Sequence, residues 1–472
     1  METAPPYNPA MKTRIETDSM GEIEVDDQRY WGAQTERARR NFQVSPHRIP
    51  VPLLRALCLV KGEAALVNAE LGLLASDVAR AVHQAAGEAL EGRFDGEFPL
   101  DVFQTGSGTS WNMNANEVLA GRANELLTGI RGGKKPVHPN DHVNLGQSSN
   151  DVIPSVLNIA ARLEAGRFAA GLDALAGAFE AKVEQFRAVV KIGRTHLQDA
   201  VPMTLGQEFG AFARQIRLGA ERVRGVFVHL EELALGGTAL GTGINTHPEF
   251  GARTARALAR RLGAGFRPAA SLFEAIAARD AQVELMGALN TVATSLLKIG
   301  NDLRLLASGP RTGFGEILLR ELQPGSSIMP GKVNPVVPEM LNQACAHVMG
   351  KHLTVTIAGQ NAPLQLNIMM PLLAHETLSS LDLLTRCAET LRVSCVDLLE
   401  ANAEQCAEQV ERSLALVTPL ALVIGYDQAA ALSKQALAEG KTIRQLALER
   451  GVLPPAELEK VLDHKRLVGL TD

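Results

Sequence analysis

Apolar positions recur at intervals of three and four over long stretches of this chain, the period of a helix that buries one face. Between Val51 and Leu74 the repeat runs through Leu53, Leu57, Val60, Ala64 and Val67. Between Ala281 and Leu306 it runs through Val283, Met286, Leu289, Val292, Leu296, Ile299, Leu303 and Leu306. A third stretch, Val152–Val190, is rich in Ala, Leu, Glu and Arg, all strong helix formers. The Ala281–Leu306 helix alone would measure about 40 Å at the α-helical rise. Elements of that length predict a long-helix bundle. Apolar faces this extensive often need partner subunits to cover them; an internally packed monomeric bundle is the alternative.

Gly and Pro cluster at residues 105–109, 129–141, 235–248, 308–315 and 323–335, which read as loops between rigid helices, where function usually sits. Composition shifts near Ala401, and the polar run Glu400–Arg412 opens what reads as a small C-terminal domain. Within it Glu439–Gly440 and Gly451–Pro455 are expected turns between short helices. Aromatics make up only 4% of the residues, which favours helix over strand and a mostly α fold. A length of 472 residues allows about three domains. We expect a mostly helical N-terminal domain over residues 1–147, a central long-helix domain over 148–400 and a helical C-terminal domain over 401–472.

Charge narrows the function classes. The net charge is −5 and no Lys/Arg run marks a basic arm, so nucleic acid is not an expected partner. The longest apolar stretch, Leu414–Ile424, is too short to span a bilayer and holds Thr418 and Pro419, so no membrane role is expected. The N-terminal stretch lacks an apolar core and is acidic, unlike a secretory or mitochondrial leader. Cys58, Cys345, Cys387, Cys395 and Cys406 are scattered and form no C-x-x-C pair, which suits buried thiols in a cytoplasmic protein.

Five segments could carry chemistry. The most specific is Gly325–Pro335, GSSIMPGKVNP, where two Gly and two Pro frame two hydroxyls, one ammonium and one carboxamide. Pro335 precedes an apolar helical run, Val336–Met349, so the loop should end at a helix N-terminus, which favours anions. Lys332 and Asn334 then read as carboxylate binders. The second is Gly193–Ala200, a polar, loop-like stretch holding Thr195 and His196. Histidine titrates near neutrality and suits acid–base work when a carboxylate orients it; Glu339 is the candidate. The third, Thr105–Thr109, offers Ser107 and Thr109 between glycines as an anion cradle, although taken alone it reads better as a plain glycine turn. The fourth, Gln147–Asp151, reads first as an ordinary helix N-cap. The fifth, Val137–Asn144, holds two His and an Asp in a spacing that fits no zinc signature, so neither metal nor cofactor is expected.

Together these segments resemble the fumarase/aspartase superfamily, and within it the class II fumarases. The resemblance starts at Tyr30-Trp31-Gly32-Ala33-Gln34-Thr35 and passes through Phe98–Leu100, the five segments and Leu235–Ala239. It continues through Ala307–Pro310 to Ile424–Asp427. It implies a three-domain, mostly α-helical subunit whose long helices join those of three others in a homotetramer core, with each active site shared among three subunits. By matching positions it implies that Ser107, Thr109, Ser148, Ser149, Asn150 and Thr195 bind substrate, together with Ser327, Lys332, Val333 and Asn334. It makes His196 and Ser326 the acid–base pair and gives Glu339 the task of orienting His196. His138, Pro139, Asn140 and Asp141 match the family's secondary anion site.

The implied chemistry, interconverting malate and fumarate, removes a barely acidic C3 proton, and the neighbouring carboxylate must take up the charge as an aci-carboxylate. Preorganised donors there matter most, and Lys332 and Asn334 are the candidates. Aspartate ammonia-lyase shares this logic. Thr195-His196 and Ser148-Ser149-Asn150 favour the fumarase; Gln365–Met369, Val336–Glu339 and Ser110-Trp111-Asn112 lean the other way or depart from its usual pattern. A non-catalytic homologue, such as those recruited as lens crystallins, would be expected to lose His196, Ser326 or Lys332, and all three are present. An iron–sulfur hydratase would need clustered cysteines.

Overall fold

A computed structural model of the chain describes residues 12–470. The leader expectation falls in part on residues 1–11, which lie outside the described residues, as do 471 and 472.

The chain opens with a hairpin, β1 (Thr13–Asp18) and β2 (Gly21–Asp26), and continues through α1 (Ala33–Asn41), α2 (Val51–Glu70), α3 (Ser76–Leu90) and α4 (Thr109–Thr128). Next come α5 (Ser149–Gln185), β3 (Val190–Thr195), β4 (Gln198–Thr204), α6 (Leu205–Gly225), α7 (Phe227–Leu230), β5 (Glu232–Leu233), α8 (Phe250–Leu262) and β6 (Arg267–Pro268). Then follow α9 (Leu272–Ala277), α10 (Asp280–Leu306), β7 (Ile317–Leu318), α11 (Val336–Gly359), α12 (Met370–Leu391) and β8 (Glu400–Ala401). Six short helices end the chain: α13 (Ala403–Arg412), α14 (Val417–Ile424), α15 (Tyr426–Glu439), α16 (Ile443–Glu449), α17 (Pro455–Val461) and α18 (His464–Leu467). Among the described residues the sheets are all two-stranded, so the mostly α expectation holds.

The three long-helix readings hold with corrected ends. In α2, Leu53, Leu57, Val60, Ala64 and Val67 are all buried, but the helix stops at Glu70 because Gly72 turns left-handed at φ 74°. In α10 the stripe from Met286 to Leu306 is buried, while Val283 is half-buried. The Val152–Val190 stretch begins helically at Ser149 and ends at Gln185. Val190 goes instead into β3, where its pairing partner Thr204 on β4 decides what local propensity left open.

Among the described residues the chain forms two compact units. The first holds residues 12–168, 222–290 and 348–383. Its N-terminal half is a stack of α2, α3 and α4 around Leu53, Leu57, Val82 and Trp111. The buried Glu117 on α4 accepts backbone N–H groups from Gly32, Gln34 and Thr35, fixing the start of α1 to α4. The second unit holds 169–221, 291–347 and 384–470. Phe179, Phe186, Phe209 and Phe212 cluster where α5 meets α6, with ring centroids 5.4–5.8 Å apart. The C-terminal helices gather Val410, Leu416, Leu420, Leu432, Ile443, Leu446 and Leu458 into a core that also takes Ile192 from β3. Gly440 and Gly451, at φ 64° and 61°, make the two expected C-terminal turns.

Candidate functional site

The first unit brings two helix N-termini together. Gly108, left-handed at φ 72°, ends the Thr105–Gly108 turn and lets α4 begin at Thr109, while α5 begins at Ser149. Three hydroxyls join the two ends. Ser107 Oγ lies 2.7 Å from Thr109 Oγ1, which lies 2.8 Å from Ser149 Oγ. Gly106 must be glycine, because a Cβ there would lie 1.8 Å from the Ile368 carbonyl oxygen, and Met370 N–H donates to the Gly106 carbonyl. Two helix N-termini and three linked hydroxyls therefore meet beside the Thr105–Gly108 turn, a geometry that favours negative charge. Ser148 Oγ accepts the Asn150 N–H, and Asn150 Nδ2 donates to the Ala239 carbonyl at 2.8 Å.

Two buried charges flank this segment, and sequence reasoning missed both roles. Lys61 is fully buried in α2, and its ammonium donates to Asn144 Oδ1 (2.8 Å) and Gln147 Oε1 (3.0 Å). Burial pushes it down to about 7. Asp151 is also fully buried; burial pushes its carboxyl up to about 7 against the pull of three backbone N–H donors, those of Ser148, Thr238 and Gly236. The signal for Lys61 was present: a lysine inside a helix with almost no polar face has no solvent to reach. Asp151 was visible but read as a cap.

His138, Pro139, Asn140 and Asp141 form one turn of a five-residue helical segment ending at Val143. His138 Nδ1 accepts the N–H groups of Asn140 and Asp141, so this nitrogen carries no proton although Asp141 Oδ2 is 3.4 Å away. Burial holds this imidazole below its ordinary range, partly opposed by Asp141. A cavity of about 480 Å³ elsewhere in the unit, between His229, Glu274 and Arg279, contains none of the candidate residues.

In the second unit the Gly193–Ala200 stretch is a β-hairpin, which corrects the loop reading. Thr195 pairs with Gln198, leaving His196 and Leu197 as the two turn residues. Both are left-handed, at φ 55° and 60°, the geometry of a two-residue turn that normally takes Asn-Gly. Each non-glycine residue there costs about 1–2 kcal/mol, so the turn presents an exposed imidazole at an energetic cost. The hairpin base is held by charge. Lys191 and Arg194 on β3 both meet the fully buried Glu316, Arg194 Nη1 donating to Oε1 at 2.7 Å. Lys191 Nζ stands 2.8 Å from Oε2, an ion pair off the hydrogen-bond axis, and donates to Glu208 Oε2 at 2.6 Å. Arg194 also lies over the Phe314 ring and donates to Gln409.

The Gly325–Pro335 loop folds on itself. A Cβ at Gly325 would lie 1.8 Å from the Lys332 carbonyl oxygen, and Asn334 Nδ2 donates to the Gly325 carbonyl. Ser326 Oγ accepts the N–H groups of Ile328 and Met329 at 3.3 and 3.0 Å. Ser327, Lys332 and Val333 are exposed, and Lys332 has no ion-pair partner among the described residues. The loop ends, as expected, at an N-terminus, that of α11, with Glu339 in its first turn. Among the described residues of this unit His196 and Glu339 share no hydrogen bond.

The long-helix fold, with linked hydroxyls at paired helix N-termini in one unit and an exposed hairpin-tip histidine and a glycine-framed Ser-Lys-Asn loop in the other, is that of a lyase. A family model described as "Lyase" matches residues 21–350, and one described as "Fumarase C C-terminus" matches residues 416–469. The chain is 49% identical over 460 residues, 97% of its length and 98% of the relative's, to the class II fumarate hydratase of Methylorubrum extorquens. It is 48% identical to the mitochondrial fumarate hydratase 1 of Arabidopsis thaliana over 97% of this chain and 94% of that one. The crystal structure of class II fumarase from Schistosoma mansoni superposes with a TM-score of 0.94 at 39% identity, covering 98% of this chain and all of that one. The chain belongs to this lyase family, in its class II fumarase branch.

Proposed function

We propose that the protein is a fumarate hydratase, interconverting fumarate and L-malate by acid–base catalysis without a cofactor. The observation that carries the reading is His196 at the tip of a strained hairpin turn, in a chain aligned end to end with class II fumarate hydratases. Ser326 takes the C3 proton of malate. Its Oγ already accepts two backbone N–H bonds, which lower the cost of negative charge on that oxygen. Lys332 and the exposed loop face the carboxylate that takes up charge in the aci-carboxylate, while Asn334 holds the loop closed through Gly325. His196 protonates the departing hydroxyl, and Glu339 orients it. Ser107, Thr109, Ser148, Ser149 and Asn150 bind the dicarboxylate, with Thr195, Ser327 and Val333 completing the site. His138, Pro139, Asn140 and Asp141 form a secondary anion site.

The same reading makes the protein a cytoplasmic homotetramer with domains at 1–147, 148–400 and 401–472. Each active site takes residues from three copies of the chain, so that His196 and Glu339 meet across a subunit boundary. Among the described residues no helix is long and apolar enough to cross a membrane. The test follows the ultraviolet absorbance of fumarate on mixing purified protein with malate, then separately with aspartate. Turnover of malate alone is expected; turnover of aspartate alone would make the protein an ammonia-lyase.

A further inference from the structure

The segment Asn144–Asp151 carries three of the proposed substrate-binding residues, and the Asn68, Asn112 and Asn116 amides donate to its first residues. It is gripped from inside by one cation and one anion. Lys61 reaches Asn144 and Gln147, at the start of the segment. Asp151 closes its end: Oδ1 accepts the Ser148 N–H at 2.9 Å, and Oδ2 accepts the N–H groups of Gly236 and Thr238 at 3.1 and 2.9 Å. The 234–239 loop is tied to the same helix start twice more, through Ala234 N–H to Ser155 Oγ and Asn150 Nδ2 to the Ala239 carbonyl. Thr238 holds a left-handed φ of 53°, a conformation that a threonine keeps only where its surroundings impose it. Lys61 and Asp151 form no ion pair with each other; each is satisfied by a different part of the segment.

A buried carboxylate that collects N–H donors from two separate loops sets where those loops stand. A buried ammonium that bonds two side-chain carbonyls does the same for the turn before them. Neither charge can reach bulk solvent or substrate, so their effect passes through Ser148, Ser149 and Asn150. We propose that Asp151 and Lys61 are positioning residues of the dicarboxylate site, holding the Ser148–Asn150 segment at the α5 N-terminus in its binding geometry. This inference rests on the proposed function, because it presumes that Ser149 meets the substrate.

The test is a cycle of variants in the full-length protein, with malate KM, kcat and secondary-structure content measured for each. Asp151→Asn keeps the shape but turns an amide N–H₂ towards backbone N–H donors on one side. The expected result is a malate KM raised about tenfold in a protein that still melts cooperatively, with kcat changed less than threefold, the scale of one lost charge-assisted bond. Ser149→Ala should raise KM on its own. The double variant should be no worse than the weaker-binding single one, because Asp151 acts through the segment that Ser149 represents. Lys61→Gln, which keeps a donor without the charge, should show the same pattern on a smaller scale, and it decides the matter if Asp151→Asn does not fold. A KM unchanged in folded Asp151→Asn and Lys61→Gln, or effects that simply multiply with that of Ser149→Ala, would overturn the positioning role. An unchanged KM in Ser149→Ala, or a wild type inert on malate, would instead overturn the proposed function.

Discussion

In the proposed function His196 and Ser326 carry the acid–base chemistry, and each has a separable expectation. Replacing His196 by Asn preserves the left-handed turn, since Asn tolerates that conformation, yet removes the imidazole. Steady-state assays should therefore show kcat down by about a hundredfold or more with KM nearly unchanged; a retained rate would remove His196 from the mechanism. Ser326→Ala should lose turnover on a similar scale, about a hundredfold, and near-wild-type kcat in that variant would discard the assigned base. Asp101 gives a stability expectation of another kind. Burial opposes its charge, but the Ser45 hydroxyl and the N–H groups of Phe103, Ser45 and Val44 outweigh burial and hold the carboxyl below its ordinary value of 3.8. A depressed folded value means that this stabilisation is complete above pH 3.8 and is lost as pH falls through the folded value. Asp101→Asn should therefore lower the denaturation midpoint at neutral pH, by about 1–3 kcal/mol in unfolding free energy, and flatten its fall on the acid side.

At the scale of elements, the hairpin that carries His196 depends on Glu316. That carboxylate faces two cations from one strand, so Glu316→Gln leaves Lys191 with Glu208 alone and Arg194 without a carboxylate. Chemical denaturation should show a loss of about 3 kcal/mol, and His196-dependent turnover should fall with it. A variant with full stability would show that Glu208 and Gln409 suffice. What could be read from sequence divides along the same line. The helices α2 and α10 were legible because their apolar periods run for many turns, and the Gly325–Pro335 loop because two Gly and two Pro frame hydroxyl, ammonium and carboxamide groups in one short run. The hairpin was not legible. Its pairing joins residues through a turn that lacks the usual Asn-Gly, and Thr195-His196-Leu197-Gln198 reads as an irregular polar stretch. Glu316 and Lys61 were invisible as partners because their contacts are more than eighty residues away in the chain.

For the whole molecule, the expectation is assembly. His196, Ser326 and Lys332 stand exposed or half-exposed in the single subunit, and the fold of the second unit does not bond His196 to its proposed orienting carboxylate. If neighbouring subunits complete the site, light scattering should give a mass near four times 50.5 kDa. Co-refolding His196→Asn subunits with Ser326→Ala subunits should then restore part of the activity that each lacks alone, because some mixed sites receive both intact groups. Strictly additive inactivity in mixed tetramers would place each site within one chain.

The run of oxygens from Ser107 through Thr109 to Ser149 has a consequence for how the cradle meets its ligand. Three hydroxyls contain three protons, and two are committed to the links between them. One proton is left over, and it can sit at either end, because reversing both links merely hands it along the wire. An anion arriving at Ser107 or at Ser149 would thus find a donor available, with no link inside the cluster broken. Thr109→Val would cut the wire into two independent hydroxyls, and the cradle would lose its indifference to the side from which charge approaches.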